Sequence, residues 1–367
     1  METKAKTVYV GMSGGVDSSV AALLLKEQGY RVVGVYMKNW SQDLPGMKCP
    51  WAEDLADAKR VAVKLGIDFL VWDFEEAYRE KVVDYMLREF KAGNTPNPDI
   101  MCNQEIKFKL FYERAREAGA DNIATGHYAR VKNDSSCGGH PTLMRAIDEN
   151  KDQTYFLYRM PEEALKHTLF PIGEMRKPDV KKLAQSRQLH NAYKKESMGV
   201  CFVGEVGMKD FLKEYIDIQP GEIREIETER LMGYHDGVVF YTIGQRHGLY
   251  LSGVSGEISD GLPYYVVKKD LDKNVVYVSK NLNHEAIWTN ELELKDVVMR
   301  SELPSGQIAV RLRHRAPLIP AVFDDGKLHF ESEIRRPANG QSAVFYDGEV
   351  CLGGGIITEK HPEGGVL

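Results

Sequence analysis

The fold assignment rests on one segment, Gly11-Met12-Ser13-Gly14-Gly15-Val16-Asp17-Ser18-Ser19 (GMSGGVDSS). This segment joins a predicted buried strand to a predicted helix. Residues 7–12 predict the strand, and residues 18–28 predict a helix that ends at Gly29. The glycines let the backbone turn tightly and approach an anion. The helix N-terminus adds unpaired N–H groups that bind phosphate oxygens. We therefore predict a phosphate-binding loop at the carboxyl edge of a parallel sheet.

Strands and helices alternate around this loop. Strands are predicted at residues 31–37, 67–72 and 122–129, and helices at 53–65, 78–92 and 105–118. This alternation indicates an α/β fold with a doubly wound parallel sheet. After residue 208, short β-rich runs between Gly and Pro turns predict small β domains. We expect a catalytic domain at 1–208, a central β-rich domain at 209–280 and a C-terminal β-barrel at 281–367.

Composition limits the class of protein. The 367 residues are 43% hydrophobic and 28% charged with a net charge of −6, which excludes a disordered or fibrous chain and a uniformly basic nucleic-acid coat. Two stretches are locally basic: residues 174–195 hold seven Lys or Arg against two acids, and residues 300–315 hold four Arg against one Glu. Each predicts either a nucleic-acid surface or a solvated helix face.

The five cysteines are widely spaced and form no CxxC pair, which argues against a disulfide framework and a structural zinc site. The start of the chain has no signal-peptide pattern, and no apolar run approaches the roughly 18 residues that cross a bilayer. We expect a cytoplasmic protein without a membrane partner.

The loop matches neither GxxxxGK[ST] nor GxGxxG. Its SGGxDS pattern resembles the loop of the ATP pyrophosphatases (PP-loop enzymes), which cleave ATP between the α and β phosphates and adenylate an oxygen of the substrate. Asp17 is placed to hold a Mg²⁺ ion that bridges the phosphates. The alternative is an ordinary Gly-rich turn.

Two cysteines supply a second signal. In residues 94–108 (NTPNPDIMCNQEIKF), Asn-Pro-Asp predicts a turn, and a helix is predicted to begin just after Cys102. The N-terminus of this helix and Lys107 favour the Cys102 thiolate, and Asp99 is placed for proton transfer. Cys201 follows Lys194 and Lys195, although a Cys between Val and Phe is often a small core residue. We expect both thiols on loops. One would carry a persulfide and the other would complete sulfur release by forming a disulfide, provided their Cα atoms approach within about 7 Å.

Seven segments together carry a full-length resemblance: GMSGGVDSSVAA, TPNPDIMCNQEIKF, ATGHYAR, NKDQTYFL, GVCFVGE, YTIGQRHGL and NGQSAVFYDGE. In this order they resemble the tRNA 2-thiouridylases of the MnmA family. The resemblance implies that ATP adenylates O2 of the wobble uridine in tRNAs for Lys, Glu and Gln. Sulfur from a cysteine persulfide then gives 2-thiouridine, AMP and pyrophosphate. A sulfur-relay protein or a cysteine desulfurase would be the persulfide donor.

The resemblance also implies residue roles. ATP would bind at Gly11, Met12, Ser13, Gly14, Gly15, Val16, Asp17, Ser18, Met37 and Gly126. Catalysis would fall to Cys102 as nucleophile, Cys201 as persulfide carrier and Asp99 as acid/base. The target base would contact Asn97, Pro98 and Asp99, and the rest of the tRNA would contact His127, Lys151, Asp152, Gln153, Arg311, Leu312 and Gln341.

One position departs from the family pattern. The chain has Arg311-Leu312-Arg313 where the family often has Arg-Tyr-Arg, so aromatic stacking on RNA at that point is in doubt. Two other functions stay open on the residues alone. One is a PP-loop enzyme with a nitrogen nucleophile, such as a tRNA lysidine synthetase or an amide ligase. The other is a non-catalytic tRNA-binding protein regulated by nucleotide.

Overall fold

The computed structural model describes residues 5–43, 49–133, 140–195, 207–249, 251, 262–304 and 306–358. The strands in these ranges are Thr7–Gly11 (β1), Arg31–Lys38 (β2), Asp68–Asp73 (β3), Asn122–Thr125 (β4), Ala129–Asn133 (β5), Pro141–Arg145 (β6), Thr168–Leu169 (β7), Gly221–Glu225 (β8), Leu231–His235 (β9), Tyr265–Asp270 (β10), Val275–Ser279 (β11), Trp288–Met299 (β12), Ile308–Arg311 (β13), Ile319–Asp324 (β14), Lys327–Arg335 (β15), Ser342–Asp347 (β16) and Val350–Thr358 (β17).

The α-helices are Val16–Glu27 (α1), Trp51–Leu65 (α2), Glu75–Tyr78 (α3), Asp84–Lys91 (α4), Pro98–Met101 (α5), Phe111–Glu117 (α6), Glu162–Lys166 (α7), Lys177–Ser186 (α8) and Met208–Tyr215 (α9). Two π-helical stretches, Arg79–Val83 and Cys102–Leu110, join α3 to α4 and α5 to α6. Short 3-10 turns occur at Thr154–Phe156 and Val238–Phe240.

The first sheet is parallel and has the strand order β3-β2-β1-β4-β7. The chain moves from β1 to β2 and β3 on one side, whereas β4 and β7 lie on the other. Strand order therefore reverses between β1 and β4, and such a reversal opens a crevice at the carboxyl ends of the two strands. The phosphate loop (residues 11–19) leaves β1 at this point.

Both faces of this sheet are covered by helices. Along β1 the side chains alternate: Val8 and Val10 pack with α1, α2 and α8, whereas Tyr9 packs on the opposite face in the core formed with α3 to α6. This alternation confirms the doubly wound α/β fold class. The predicted strand 122–129 is wrong in its second half, because β4 ends at Thr125 and Ala129 begins a strand of another sheet.

The central part of the chain forms a four-stranded sheet with the order β10-β11-β8-β9. Its own small core includes Ile223, Val266, Val276 and Val278, all of which are buried. The predicted small β-rich domain is therefore present.

The C-terminal strands form a closed barrel. β12, β15, β14, β13, β16 and β17 follow one another, and β12 also pairs with β17 to complete the ring. The hairpin β5–β6 extends this sheet at β17, through the pair Val350 and Met144 and a hydrogen bond from Arg145 N to Glu349 O (2.8 Å). The predicted barrel is confirmed, and a hairpin from the N-terminal half of the chain ties it to the first sheet. The two boundaries between the three predicted domains stay predictions.

Within the described residues, no helix combines the length and the apolar character that crossing a membrane requires.

Candidate active site

The phosphate loop is held in shape by its own hydroxyl groups. Ser18 Oγ and Ser19 Oγ both donate to Gly15 O, at 3.2 and 2.9 Å. Ser13 N donates to Ser18 Oγ at 3.2 Å. These bonds fix the turn into α1, whose first residue is Val16. The loop therefore presents the N-terminus of a helix to the crevice, as an anion site requires.

Two glycines are required by close backbone contacts. Gly14 has a φ of +76°, and a Cβ there would lie 2.3 Å from Asp54 O. A Cβ on Gly126 would lie 2.5 Å from Ser18 N. The segment after β4 therefore rests directly against the start of α1, and no larger residue fits between them.

The loop opens into a cavity of about 530 Å³, which we call the phosphate-loop cavity. Eight of the ten residues predicted to bind ATP line it: Gly11, Ser13, Gly15, Val16, Asp17, Ser18, Met37 and Gly126. Met12 and Gly14 do not line it. Met12 is buried beneath the loop with its N–H bound to Val35 O, and Gly14 O accepts a hydrogen bond from the Asn191 side chain.

The described lining of this cavity is strongly cationic. It includes six basic side chains against two carboxylates, those of Asp17 and Asp99. The basic side chains are Lys107, Lys151, Lys177, Lys194, Lys195 and Arg315. A cavity of this charge attracts polyanions such as nucleoside triphosphates and RNA.

Lys177 is a site residue that the sequence did not single out. It begins α8, is buried, and its Nζ lies 2.7 Å from both carboxylate oxygens of Asp17. Tyr128 Oη donates to the same carboxylate at 3.0 Å. In the sequence Lys177 is only one member of a basic run 160 residues away from Asp17, so no local signal marks it.

Much of that basic run is neutralised within the chain. At least four of its seven basic side chains form ion pairs: Lys177 with Asp17, Lys182 with Asp179, Arg187 with Glu27, and Lys194 with Asp54 and Asp57. In the second basic stretch, Arg300 binds the carbonyls of Tyr158 and Met160, and Arg311 is buried. The exposed positive charge is therefore smaller than the residue counts indicate, and the paired side chains include Lys177 and Lys194, two of the six basic residues of the cavity.

The helix that carries Cys102 faces the cavity with one of its sides. Asp99, Asn103 and Lys107 follow at intervals of four residues and all line the cavity. Cys102 lies on the neighbouring side, where it is 4% exposed and packs in the core that includes Ile106. Long π-helical stretches are rare and occur mostly at functional sites, and this one begins at Cys102.

The prediction that Cys102 lies on a loop is wrong. The helix begins at Pro98, four residues before Cys102, because the Asn97 side chain caps it by accepting from the N–H groups of Asp99 (3.2 Å) and Ile100 (3.4 Å). Pro at the first helical position adds to this start signal. The turn predicted from Asn-Pro-Asp is thus the first turn of the helix. Cys201, the second predicted thiol, lies outside the described residues.

Two titratable side chains in the cavity are shifted towards their neutral forms. Burial raises the pKa of Asp99, and the positive charge of Lys107 opposes that shift. Burial, together with Lys107, lowers the pKa of His127 well below its usual value. His127 Nδ1 lies 2.8 Å from Thr125 Oγ1, and its ring packs against Phe108. Asp99 therefore takes up a proton more readily than an exposed Asp does, and His127 is a neutral hydrogen-bonding group.

The residues predicted to contact tRNA separate into two groups. His127, Lys151, Gln153 and Asp99 line the cavity. Asn97 and Pro98 form the start of the helix just described, next to Asp99. Gln341 lies outside the described lining of this cavity, and its Nε2 donates to Thr95 O at 2.7 Å, which fixes the segment before the helix.

Asp152, Arg311 and Leu312 do not reach the cavity. Asp152 is 1% exposed, and Arg311 and Leu312 are buried as well. Arg311 Nη1 lies 2.9 Å from Asp152 Oδ2, so this ion pair joins the segment after β6 to the barrel. Burial removes these three side chains from direct contact with a ligand in this arrangement. Their position indicates that they hold Lys151 and Gln153 in place.

The cavity has an aromatic wall that the sequence did not predict. The rings of Phe156 and His314 lie 4.5 Å apart between centroids, and both line the cavity. Burial and the charge of Arg315 lower the pKa of His314 to about 4, so the ring is neutral at pH 7. Asn103 Nδ2 donates to Phe156 O at 3.0 Å and secures this wall to the Cys102 helix. The two rings therefore give the cavity an aromatic surface.

Comparison with known families matches the chain along three consecutive ranges. Residues 6–205 match the tRNA methyl transferase HUP domain, 209–280 the tRNA methyl transferase PRC-barrel domain, and 289–357 the aminomethyltransferase beta-barrel domain. The tRNA-specific 2-thiouridylase MnmA of Bacillus subtilis (strain 168) is 45% identical over 366 residues, which cover 97% of this chain and 96% of that relative. The chain belongs to the MnmA family of tRNA-specific 2-thiouridylases.

Other MnmA proteins are similarly related. The relative from Exiguobacterium sibiricum is 43% identical and covers 100% of this chain and 99% of its own length. The one from Lactococcus lactis subsp. cremoris is 44% identical, with 98% of this chain and 96% of the relative covered. Among solved structures, an NMN synthetase from Francisella tularensis is 16% identical with a TM-score of 0.32, over 53% of this chain and 67% of that one. MnmA membership confirms the family indicated by the seven sequence segments, and the HUP-domain match agrees with the use of ATP.

Proposed function

We propose that this protein is a tRNA 2-thiouridylase that adenylates O2 of the wobble uridine and replaces that oxygen with sulfur. One observation carries the proposal: the phosphate loop and the Asp99-Asn103-Lys107 side of the Cys102 helix face the same cationic cavity. An activated nucleotide and a target base bound there would lie side by side. The substrates would be the tRNAs for Lys, Glu and Gln.

In this proposal the loop and Lys177 hold the phosphates of ATP. The base oxygen attacks the α phosphate, pyrophosphate leaves, and AMP becomes the leaving group that the ring carbonyl otherwise lacks. Asn97, Pro98 and Asp99 border the base, and the Phe156–His314 wall offers it a stacking surface. Because burial raises the pKa of Asp99, this carboxyl group is better suited than an exposed Asp to take up and return a proton.

The sulfur step needs both thiols. Cys201 would carry a persulfide whose terminal sulfur bonds to C2 of the base while AMP leaves. Cys102 thiolate would then attack Cys201 Sγ, so that a disulfide forms and the terminal sulfur remains on the base. A thiol reductant would restore the two cysteines. Because Cys102 is 4% exposed, the Pro98–Leu110 helical segment must shift to present it when tRNA binds.

Mg²⁺ would enter with ATP. Among the described residues no group of three or more His, Cys, Asp or Glu side chains could hold a metal ion. Asp17, the predicted ligand, is paired with Lys177 and Tyr128 in this structure. We therefore propose that the ion is bound mainly by phosphates and water, as Mg²⁺ commonly is, with Asp17 nearby. The persulfide would come from a sulfur-relay protein or a cysteine desulfurase in the cytoplasm, where the tRNA substrate is found.

The test is mass spectrometry of nucleosides after incubation with tRNA, Mg-ATP and a persulfide source. The wild type should form 2-thiouridine and release pyrophosphate. Cys102→Ser and Cys201→Ser should lose 2-thiouridine but retain tRNA-stimulated release of pyrophosphate, and Cys49→Ser serves as the matched control. Full thiolation in the variant that combines Cys102→Ser with Cys201→Ser would reject the proposal. Absence of tRNA-stimulated pyrophosphate release would favour a nucleotide-regulated binding protein.

A further inference from the structure

A second cavity, of about 840 Å³, lies where the first sheet's domain, the central domain and the barrel meet. We call it the three-domain cavity. Its walls come from the segment after α4, from β10 and the turn after it, and from the segment between β15 and β16. Its described lining includes four basic side chains and one carboxylate, that of Glu285. The basic side chains are Lys268, Lys269, Lys295 and Arg336.

We infer that the three-domain cavity binds the phosphate backbone of tRNA next to the nucleotide that enters the phosphate-loop cavity. The inference rests on the proposed function and adds a subsite to it. Lys295 pairs with Glu89 (3.8 Å), and the other three basic side chains still outnumber the carboxylate of Glu285, which suits a chain of phosphates. Lys268 is exposed, and no carboxylate among the described residues pairs with the Arg336 guanidinium, so both charges are available to a ligand.

One short segment of the chain, residues 94–99, runs from one cavity to the other. Asn94 and Thr95 line the three-domain cavity, and Asp99 lines the phosphate-loop cavity. Five residues from Thr95 to Asp99 span at most about 17 Å even when fully extended. A single RNA strand that places its target base beside Asp99 can therefore reach the three-domain cavity within a few nucleotides. A free phosphate compound would have no such reason to bind next to the base site.

The segment that leads to Asp99 is also held by residues that would contact the RNA backbone. Thr95 N donates to Asn339 O at 2.7 Å, and Lys269 Nζ donates to Gly93 O at 2.7 Å. Asn339 and Lys269 both line the three-domain cavity. RNA bound in this cavity would therefore contact residues that directly hold the segment leading to the base site, which links backbone binding to base placement.

The experiment measures tRNA affinity across a salt series for Lys268→Gln, Arg336→Gln and the double variant. The plot of log K for tRNA binding against log salt has a negative slope, and each lost phosphate contact should reduce the magnitude of that slope by about 0.7. The double variant should reduce it by about 1.4. Between 50 and 200 mM salt, the affinity advantage of the wild type over the double variant should then shrink about sevenfold. Arg336→Lys keeps the charge and should keep the slope.

Lys273→Gln is the matched control. Lys273 lies in the turn directly after β10, is 70% exposed and is outside the described cavity lining. Formation of 2-thiouridine at saturating tRNA should be unchanged in Lys273→Gln. Slopes equal to that of the wild type would overturn the subsite while leaving thiolation intact. Loss of inorganic pyrophosphate binding in Arg336→Gln with unchanged tRNA binding would overturn it too. A wild type that binds tRNA but forms no 2-thiouridine would instead reject the proposed function.

Discussion

Replacement of Asp152 by Asn tests whether the buried ion pair with Arg311 supports the structure or contacts tRNA. The Asp152 side chain is fully enclosed and accepts hydrogen bonds from Thr154 Oγ1 (2.9 Å) and Ala146 N (3.2 Å) besides its pairing with Arg311. Asn retains an acceptor for Thr154 and Ala146 but leaves the buried guanidinium without a counter-charge. Removing one partner of a buried pair costs about 3–5 kcal/mol. We expect the unfolding free energy of Asp152→Asn to fall by that amount.

The assay is urea unfolding of the two single variants and of Asp152→Asn with Arg311→Met. Arg145, which also pairs with Asp152 (3.8 Å), retains Glu149 (3.6 Å) in the double variant, so no buried charge is left without a partner. Most of the lost stability should therefore return, and the cycle should give a coupling energy of about 3 kcal/mol or more, at the upper end of the range for contacting residues. Arg313→Met, on the exposed neighbour, is the control. If Asp152→Asn unfolds like the wild type while tRNA affinity drops tenfold or more, the pair contacts RNA directly and the reasoning fails.

Three further predictions concern the phosphate-loop cavity. Lys177→Met should weaken ATP binding about 10- to 150-fold, because a hydrogen bond to a charged group contributes roughly 1.5–3 kcal/mol. Lys177→Arg should recover part of the lost ATP affinity. An unchanged ATP titration for Lys177→Met would refute the assignment. Gly126→Ala should lower the rate of adenylation about 100-fold. The added Cβ would lie 2.5 Å from Ser18 N and push the phosphate loop out of position by up to an ångström. Pyrophosphate release at the wild-type rate would contradict this prediction. Lys107→Met should move the acid limb of the pH profile of thiolation to higher pH. The lysine charge lowers the pKa of Asp99, so loss of that charge lets burial raise the pKa further. A pH profile that stays in place, or shifts to lower pH, would show that Asp99 does not set the acid limb.

Features that depend on neighbours along the chain could be predicted from the amino-acid sequence. The alternation of Val8, Tyr9 and Val10 requires a strand buried on both faces, and SGGxDS requires a tight turn into a helix; both signals involve only a few consecutive residues. The order of strands and helices then predicts the doubly wound sheet. The start of the Cys102 helix was also encoded locally, in Asn97 and Pro98, but it was interpreted as a turn.

Contacts between distant side chains could not be predicted in this way, because they depend on tertiary packing. Lys177 reaches Asp17 across 160 residues, and Arg311 reaches Asp152 across 159. A basic residue in a sequence carries no mark of whether it will face solvent, a phosphate or a buried carboxylate, because that depends on how helices and barrel pack. The same holds for Cys102, whose place on the inner side of its helix follows from packing against the core. Burial and charge pairing are properties of three-dimensional contact, and they fix which residues of the cavity are available to bind.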